Sequence, residues 1–103
     1  MKQVRITVLR KQLYEDLVAR FLSEPPSECV CDFFEEGASF LYTGGAEMPA
    51  GFCPWAWIDI YRSVSALSCG ATYTPWQRDE GTSVVYCTDG IRPVTFLLEA
   101  VEP

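Results

Sequence analysis

The segment from Pro54 to Gly70 constrains the fold more than any other part of the chain. Apolar side chains recur there at helical spacing, namely Trp57, Ile60, Tyr61, Val64 and Leu67. Pro54 suits the first position of a helix, where its missing N–H would have no partner, and Gly70 is typical of a helix C-terminus. We therefore predict a helix with one apolar face, which must be buried against a second layer of structure.

Strand patterns on both sides of this helix supply the second layer. Apolar alternation or β-rich composition predicts strands beginning with Val4, Ile6 and Val8, then at Ser39 to Thr43, Ser83 to Thr88 and Ile91 to Val101. A shorter helix of about ten residues is expected before Pro25-Pro26, with Leu13, Leu17, Val18 and Phe21 on its apolar face. The order β-α-β-α-β-β over 103 residues predicts one α+β domain. We expect a mostly antiparallel sheet of about four strands with two helices on one face.

Asp89-Gly90 predicts a two-residue hairpin turn between the last two strands. In that register Cys87 lies opposite Arg92, and Pro93 takes a hydrogen-bonding position. Proline cannot donate a hydrogen bond there. Either its strand is an edge strand, or the loop is longer than two residues.

The charge distribution disfavours a nucleic-acid partner. The chain has a net charge of −6, and Lys2, Arg5, Arg10 and Lys11 place +4 in the first eleven residues, so the remainder carries −10. Such an acidic surface repels phosphate backbones. The uncharged stretch from Ser63 to Gln77 is interrupted by Gly70 and Pro75, so no membrane span is expected. Without a secretory signal, we predict a cytoplasmic protein.

Five cysteines and no histidine restrict the chemistry further. Histidine-based catalysis and histidine-ligated metals are excluded. In a reducing cytoplasm, an odd number of cysteines favours free thiols, metal ligands or redox groups over a disulfide framework.

Cys53 and Cys87 are the leading thiol candidates. Cys53 precedes Pro54 at the N-terminus of the long helix, where unpaired N–H groups stabilise a thiolate, and Cys87 is expected beside Arg92. If the pair Cys29 and Cys31 folded over them, four thiolates would suffice for zinc or an iron–sulfur cluster. The alternative is that these cysteines are small buried apolar residues. Cys69 lies 16 residues from Cys53, about 24 Å along the helix, and is expected to serve packing.

The tryptophans support a different hypothesis. Trp57 belongs to the apolar helix face, whereas Trp55 points elsewhere, beside Asp59. Together with Trp76 and the loop from Met48 to Phe52, Trp55 would form an apolar pocket for a small ligand or a protein partner. Asp59 is expected to form a surface ion pair with Arg62, although Asp59 or Asp89 acting as a catalytic base is a third hypothesis. Whether the protein is an enzyme, and its oligomeric state, stay open.

Two long motifs, GFCPWAWIDI at positions 51–60 and CTDGIRPVTF at positions 87–96, resemble those of a family of small, functionally uncharacterised prokaryotic proteins of similar length. The opening VRITVL and the FEEG segment at 34–37 are similar as well, so the resemblance covers nearly the whole chain. It implies homology but no activity. It marks as motif positions Cys53, Trp55, Trp57, Asp59, Cys87, Asp89, Gly90, Arg92 and Pro93. The segment from Cys29 to Asp32 departs from the family's Cys-Pro dipeptide, which argues against a Cys-x-Cys ligand pair.

Two hypotheses therefore compete at the level of sequence. In the first, a thiol-based protein binds a soft metal or performs redox chemistry through Cys53 and Cys87. In the second, the protein is a non-catalytic binding module with a tryptophan-rich pocket.

Overall fold

The computed structural model describes residues 1–24 and 31–103. Its elements follow one another as β1 (Gln3–Lys11), α1 (Glu15–Phe21), β2 (Ser39–Tyr42), α2 (Pro54–Ser68), β3 (Thr82–Tyr86) and β4 (Val94–Val101). The four strands form one antiparallel sheet in the order β2-β1-β4-β3. The predicted α+β class and element order are confirmed. Among the described residues, no helix has the length and apolar character needed to cross a membrane.

Helix α2 has the bounds that the sequence predicts. Pro54 takes the first helical position, and Gly70 adopts a φ of +97° just beyond the C-terminus, a conformation that glycine reaches without steric cost. The buried residues of the helix are Ala56, Trp57, Ile60, Val64, Leu67 and Ser68. Ser68 is the polar member of this face, and its hydroxyl donates a 2.6 Å hydrogen bond to the Lys2 carbonyl at the start of β1.

The core lies between α2 and one face of the sheet. The two central strands contribute Val4, Ile6 and Val8 from β1 and Val94, Phe96 and Leu98 from β4, all essentially inaccessible to solvent. Their period of two places these side chains on the same face of the sheet. Phe34 and Phe52 complete the core from the loops, with ring centroids 5.0 Å apart and each within 5.5 Å of the Phe96 ring.

Helix α1 differs from expectation. It has seven residues and buries none of them, and Phe21 is 67% exposed. The predicted apolar face therefore does not form part of the core, and α2 is the helix that covers the sheet. Spacing alone does not distinguish a helix with a partner layer from one without it.

The turn between β3 and β4 also differs from expectation. Tyr86 pairs with Thr95, so residues 87–93 form a longer loop in place of a two-residue turn. Strand β4 is central, and β3 is one of the two edge strands. Of the two explanations for Pro93, the longer loop is correct, since it moves the proline off the ladder. The Pro93 carbonyl instead accepts a 3.0 Å hydrogen bond from the Gln12 N–H.

Candidate functional site

A cleft of about 350 Å³ lies where three separate segments meet: residues 31–34, the beginning of α2, and residues 87–94. Its lining consists of Cys31, Asp32, Phe33, Phe34, Cys53, Trp55, Ala56, Cys87, Asp89, Arg92 and Val94. Six of these residues are sites predicted from the sequence: Cys31, Cys53, Trp55, Cys87, Asp89 and Arg92. The fold thus brings together residues that lie up to 61 positions apart in the chain.

The first wall is held in place by Phe34 and Lys11. The Phe34 ring is buried, and the Lys11 ammonium donates a 2.8 Å hydrogen bond to the Phe34 carbonyl. The Lys11 backbone N–H donates to the Glu36 carboxylate at 2.9 Å. Because the end of β1 holds this segment at two points, the exposed ring of Phe33 is presented at the cleft.

The second wall is the N-terminus of α2. Cys53 has an extended backbone conformation at the N-cap, and its carbonyl accepts the Trp57 N–H at 2.9 Å. Its thiol makes no capping hydrogen bond. Trp55 is 68% exposed at the cleft, whereas Ala56 is buried beneath it. The predicted N-cap position of Cys53 is confirmed, but the expected capping role of its sulfur is not observed.

The third wall is the loop of residues 87–93, which Asp89 organises. One oxygen of its carboxylate accepts hydrogen bonds from the N–H groups of Ile91 and Arg92, both at 2.8 Å. This side-chain to backbone pattern is characteristic of an Asx turn. It fixes the backbone from which the half-buried Arg92 side chain reaches the cleft.

Cys87 lies opposite Val94 and not opposite Arg92. Its N–H donates to the Val94 carbonyl at 3.0 Å, and its sulfur accepts the Val94 N–H at 3.3 Å. The expected pairing of Cys87 with Arg92 across a tight hairpin is therefore wrong, because the loop is longer. The thiol of Cys87 is buried and packs within the loop.

The other cysteines differ in exposure. Cys31 and Cys53 are partly exposed at the cleft, and Cys69 is exposed at the far end of α2, outside the cleft. All four cysteines of the described part are free thiols, and Cys29 lies outside the described residues. Within residues 1–24 and 31–103, no three Cys, Asp or Glu side chains are grouped so that they could hold a metal ion. Three of the four cysteines considered as ligands, Cys31, Cys53 and Cys87, line one cleft, and they do not belong to a metal-binding group of the described residues.

Three sequence-predicted residues lie elsewhere. Trp57 is a core residue whose indole N–H donates to the Ala46 carbonyl at 3.2 Å. Trp76 is 85% exposed and does not line the cleft. Asp59 accepts two hydrogen bonds from Thr88 in place of the ion pair expected with Arg62. In the described part of the chain, the ion pair within 4 Å is that of Lys2 with Glu102.

Sequence reasoning missed the aromatic wall of the cleft. Phe33 and Phe34 are adjacent in the chain, yet Phe33 is 52% exposed and Phe34 only 3%. Their rings lie 5.2 Å apart, edge to face. A pair of phenylalanines directly after Cys31-Asp32 is the signal that was available, although nothing local indicates which ring is buried. The loop from Met48 to Phe52 was expected to line the pocket, but it does not.

Arg92 is the positively charged side chain in the cleft lining, and Asp32 and Asp89 are its acidic members. Among the residues that the structure describes, no carboxylate oxygen lies within 4 Å of the Arg92 guanidinium. One Asp89 oxygen is already bound to two backbone N–H groups, and Asp32 is exposed to solvent. Arg92 is therefore the cation of the cleft lining, and its guanidinium N–H groups are available to a ligand.

Comparison of the chain with protein-family profiles, with curated proteins and with solved structures gives no match. The family resemblance of the two long motifs stays an expectation from the sequence. The function must therefore be argued from the cleft itself.

Proposed function

We propose that the cleft binds a small organic molecule with an apolar body. The observation that carries this proposal is the meeting of six sequence-predicted residues from three distant segments around one cavity. Its volume of about 350 Å³ falls in the range of small-molecule sites, which are mostly apolar with a few polar groups that fix orientation.

The walls fit an aromatic or similarly flat ligand. Phe33 and Trp55 expose large parts of their rings at the cleft, and the buried Phe34 and Val94 lie beneath. Exposed aromatic side chains of this kind gain from offset or edge-to-face contact with another ring. The partner that we propose is a small molecule and not a nucleic acid, because the chain has a net charge of −6. We place the protein in the cytoplasm, where its free thiols stay reduced.

Titration with 1-naphthamide, a neutral aromatic probe, tests this proposal. We expect saturable quenching of tryptophan fluorescence, because Trp55 lies at the cleft. Trp55→Ala should weaken binding about fivefold or more, since one aromatic contact contributes about 1 kcal/mol. Trp76→Ala is the matched control, because that tryptophan is also exposed but lies outside the cleft lining. Absence of saturable binding, or equal weakening by both substitutions, would overturn the proposal.

A second candidate function is thiol chemistry in the same cleft. It is favoured by one specific observation, that three of the four described cysteines line this cavity. The partly exposed Cys31 and Cys53 are its leading residues in the described part, whereas Cys87 is buried and bound to Val94. Reactive cysteines are accessible to their partners, and inert structural cysteines are not.

Alkylation by iodoacetamide, followed peptide by peptide with mass spectrometry, separates the two candidates. From exposure alone we expect Cys69 to react first, Cys31 and Cys53 more slowly, and Cys87 last. A reaction at Cys31 or Cys53 that is faster than at Cys69 would support thiol chemistry. Alkylation in the order expected from exposure alone would count against thiol chemistry. Titration of the reduced protein with Cd²⁺ tests soft-metal binding. The wild-type protein is compared with Cys53→Ser, and Cys69→Ser is the control.

A further inference from the structure

We propose that the cleft selects ligands that carry a carboxylate, and that Arg92 is the residue that binds this group. The inference rests on the proposed small-molecule function and specifies its ligand class. The geometry of the loop 87–93 and the charges around the cleft carry it.

The loop holds the backbone of Arg92 in position before any ligand arrives. The Arg92 N–H is bound to the Asp89 carboxylate at 2.8 Å. On one side of the loop, Thr88 is tied to Asp59 of α2 by hydrogen bonds of 2.8 and 2.9 Å. At the base of the loop, Cys87 and Val94 are joined by two hydrogen bonds. Because the loop backbone is fixed in this way, it need not become ordered when a ligand binds, which favours affinity.

The distribution of charge points to an anion as the ligand's polar group. The two Asp59 oxygens and one Asp89 oxygen accept hydrogen bonds that hold the loop, and Asp59 does not line the cleft. Arg92 has no carboxylate within 4 Å among the described residues. The first turn of α2 lines the same cleft, and the unpaired N–H groups at this helix N-terminus add positive potential there.

A carboxylate suits a guanidinium, because two parallel N–H···O hydrogen bonds form in one plane. The apolar walls strengthen this contact, since electrostatic attraction grows as water is excluded. Asp32 at the exposed rim opposes it, but its charge is accessible to solvent and to screening by salt. The ligand class that fits is therefore a small aromatic or apolar carboxylate.

A pair of isosteric probes tests the inference. At neutral pH, 1-naphthoate carries the charge that 1-naphthamide lacks, while both have the same ring system. We expect the wild-type protein to bind the naphthoate roughly tenfold more tightly, the gain expected of a charge-assisted pair. Arg92→Gln should abolish this preference and leave naphthamide affinity within about twofold, because the apolar contacts persist.

Arg62→Gln is the matched control, since Arg62 is exposed on α2 and does not line the cleft. It removes the same charge from the protein and should leave the tenfold preference intact. Asp32→Asn should increase naphthoate affinity about twofold without changing naphthamide affinity. Added salt should weaken naphthoate binding and leave naphthamide binding nearly constant.

The outcomes are distinguishable. If neither probe binds, the proposed function fails. If both probes bind with equal affinity and Arg92→Gln changes neither, the cleft binds small molecules but the assignment of Arg92 is overturned. If Arg62→Gln abolishes the preference as fully as Arg92→Gln, the preference is a general charge effect, and the assignment is overturned as well. Thermal unfolding of Arg92→Gln near the wild-type temperature would establish that the variant is folded.

Discussion

The Asp59 carboxylate on α2 accepts two hydrogen bonds from Thr88, one from its backbone N–H at 2.8 Å and one from its hydroxyl at 2.9 Å. These two residues lie 29 positions apart in the chain. The contact ties the helix to the loop that carries Arg92. Asp59 therefore serves the cleft as a positioning residue, although it does not line the cavity.

Removing this contact should lower stability. For Asp59→Ala we expect a loss of about 1 kcal/mol or slightly more in the free energy of unfolding, because both hydrogen bonds are made to a charged acceptor. Urea denaturation measures this loss. Arg62→Ala, on the same helix, is the control and should change the free energy of unfolding by less than about 0.5 kcal/mol. Equal effects of the two substitutions would contradict the assigned role of Asp59.

Asp89→Ala and Asp89→Asn should differ. The alanine variant loses the acceptor for the Ile91 and Arg92 N–H groups. We expect it to be less stable by about 1 to 2 kcal/mol and to lose part of its naphthoate preference. The asparagine variant keeps a carbonyl oxygen at the same place and suits an Asx turn. It should therefore retain most of the preference. If the two variants behaved alike in probe binding, the carboxylate charge and not the turn would be the important property.

The two neighbouring phenylalanines of the cleft wall should respond very differently to truncation. Phe34 contacts the rings of Phe52 and Phe96 in the core, with centroids 5.0 and 5.2 Å away. Phe34→Ala should cost about 3 to 5 kcal/mol of stability. For the exposed Phe33→Ala we expect less than about 1 kcal/mol and a measurable loss of naphthamide affinity instead. Denaturation and probe titration together check both expectations.

Tyr42 gives stability a specific pH dependence. Burial, with a further contribution from the nearby Tyr61, raises the pKa of the Tyr42 hydroxyl above its ordinary value of 10.0. The folded protein therefore holds this proton more tightly than the unfolded chain does. The resulting stability is present below pH 10 and is lost as the pH rises through the higher pKa of the folded protein.

Tyr42→Phe should therefore show a smaller fall in the free energy of unfolding between about pH 9 and pH 11 than the wild type. At neutral pH the variant should be less stable by about 1 kcal/mol, because the hydroxyl donates a hydrogen bond to the Gly45 carbonyl. Tyr14→Phe, which alters an exposed side chain, is the control. A wild-type curve parallel to that of Tyr42→Phe would contradict the pKa shift.

The parts of the fold that follow from local periodicity were predictable. The spacing from Trp57 to Leu67 predicted the buried face of α2, and the alternation from Val4 to Val8 predicted the buried side of β1. The register of β4 was not predictable. The Asp89-Gly90 dipeptide favours a tight turn, but Asp89 instead caps a seven-residue loop with its side chain. The missing N–H of Pro93 already indicated that either its strand was an edge strand or the loop was longer than two residues.

The composition of the cleft was predictable only in part. Cys53 and Cys87 were chosen because local structure would stabilise a thiolate, yet Cys53 makes no capping hydrogen bond and Cys87 pairs with Val94. Both nevertheless line the cavity. The contacts between loop residues and helix termini depend on long-range packing, and a local sequence pattern does not predict them. Arg92 was recognised as a motif residue, but its position as the cation of an aromatic cleft required the three-dimensional arrangement.

The pairing of β1 with β4 has a consequence for how the chain folds. Gln3 is matched with Val101 at one end of this pair and Lys11 with Val94 at the other, so the middle of the sheet joins the two most distant strands. During synthesis, β1 has only β2 as a partner until the last strand emerges. Because such contacts join distant parts of the chain, we expect the domain to fold more slowly than one built from local contacts. The cleft, which needs the loop before β4, is completed late in that process.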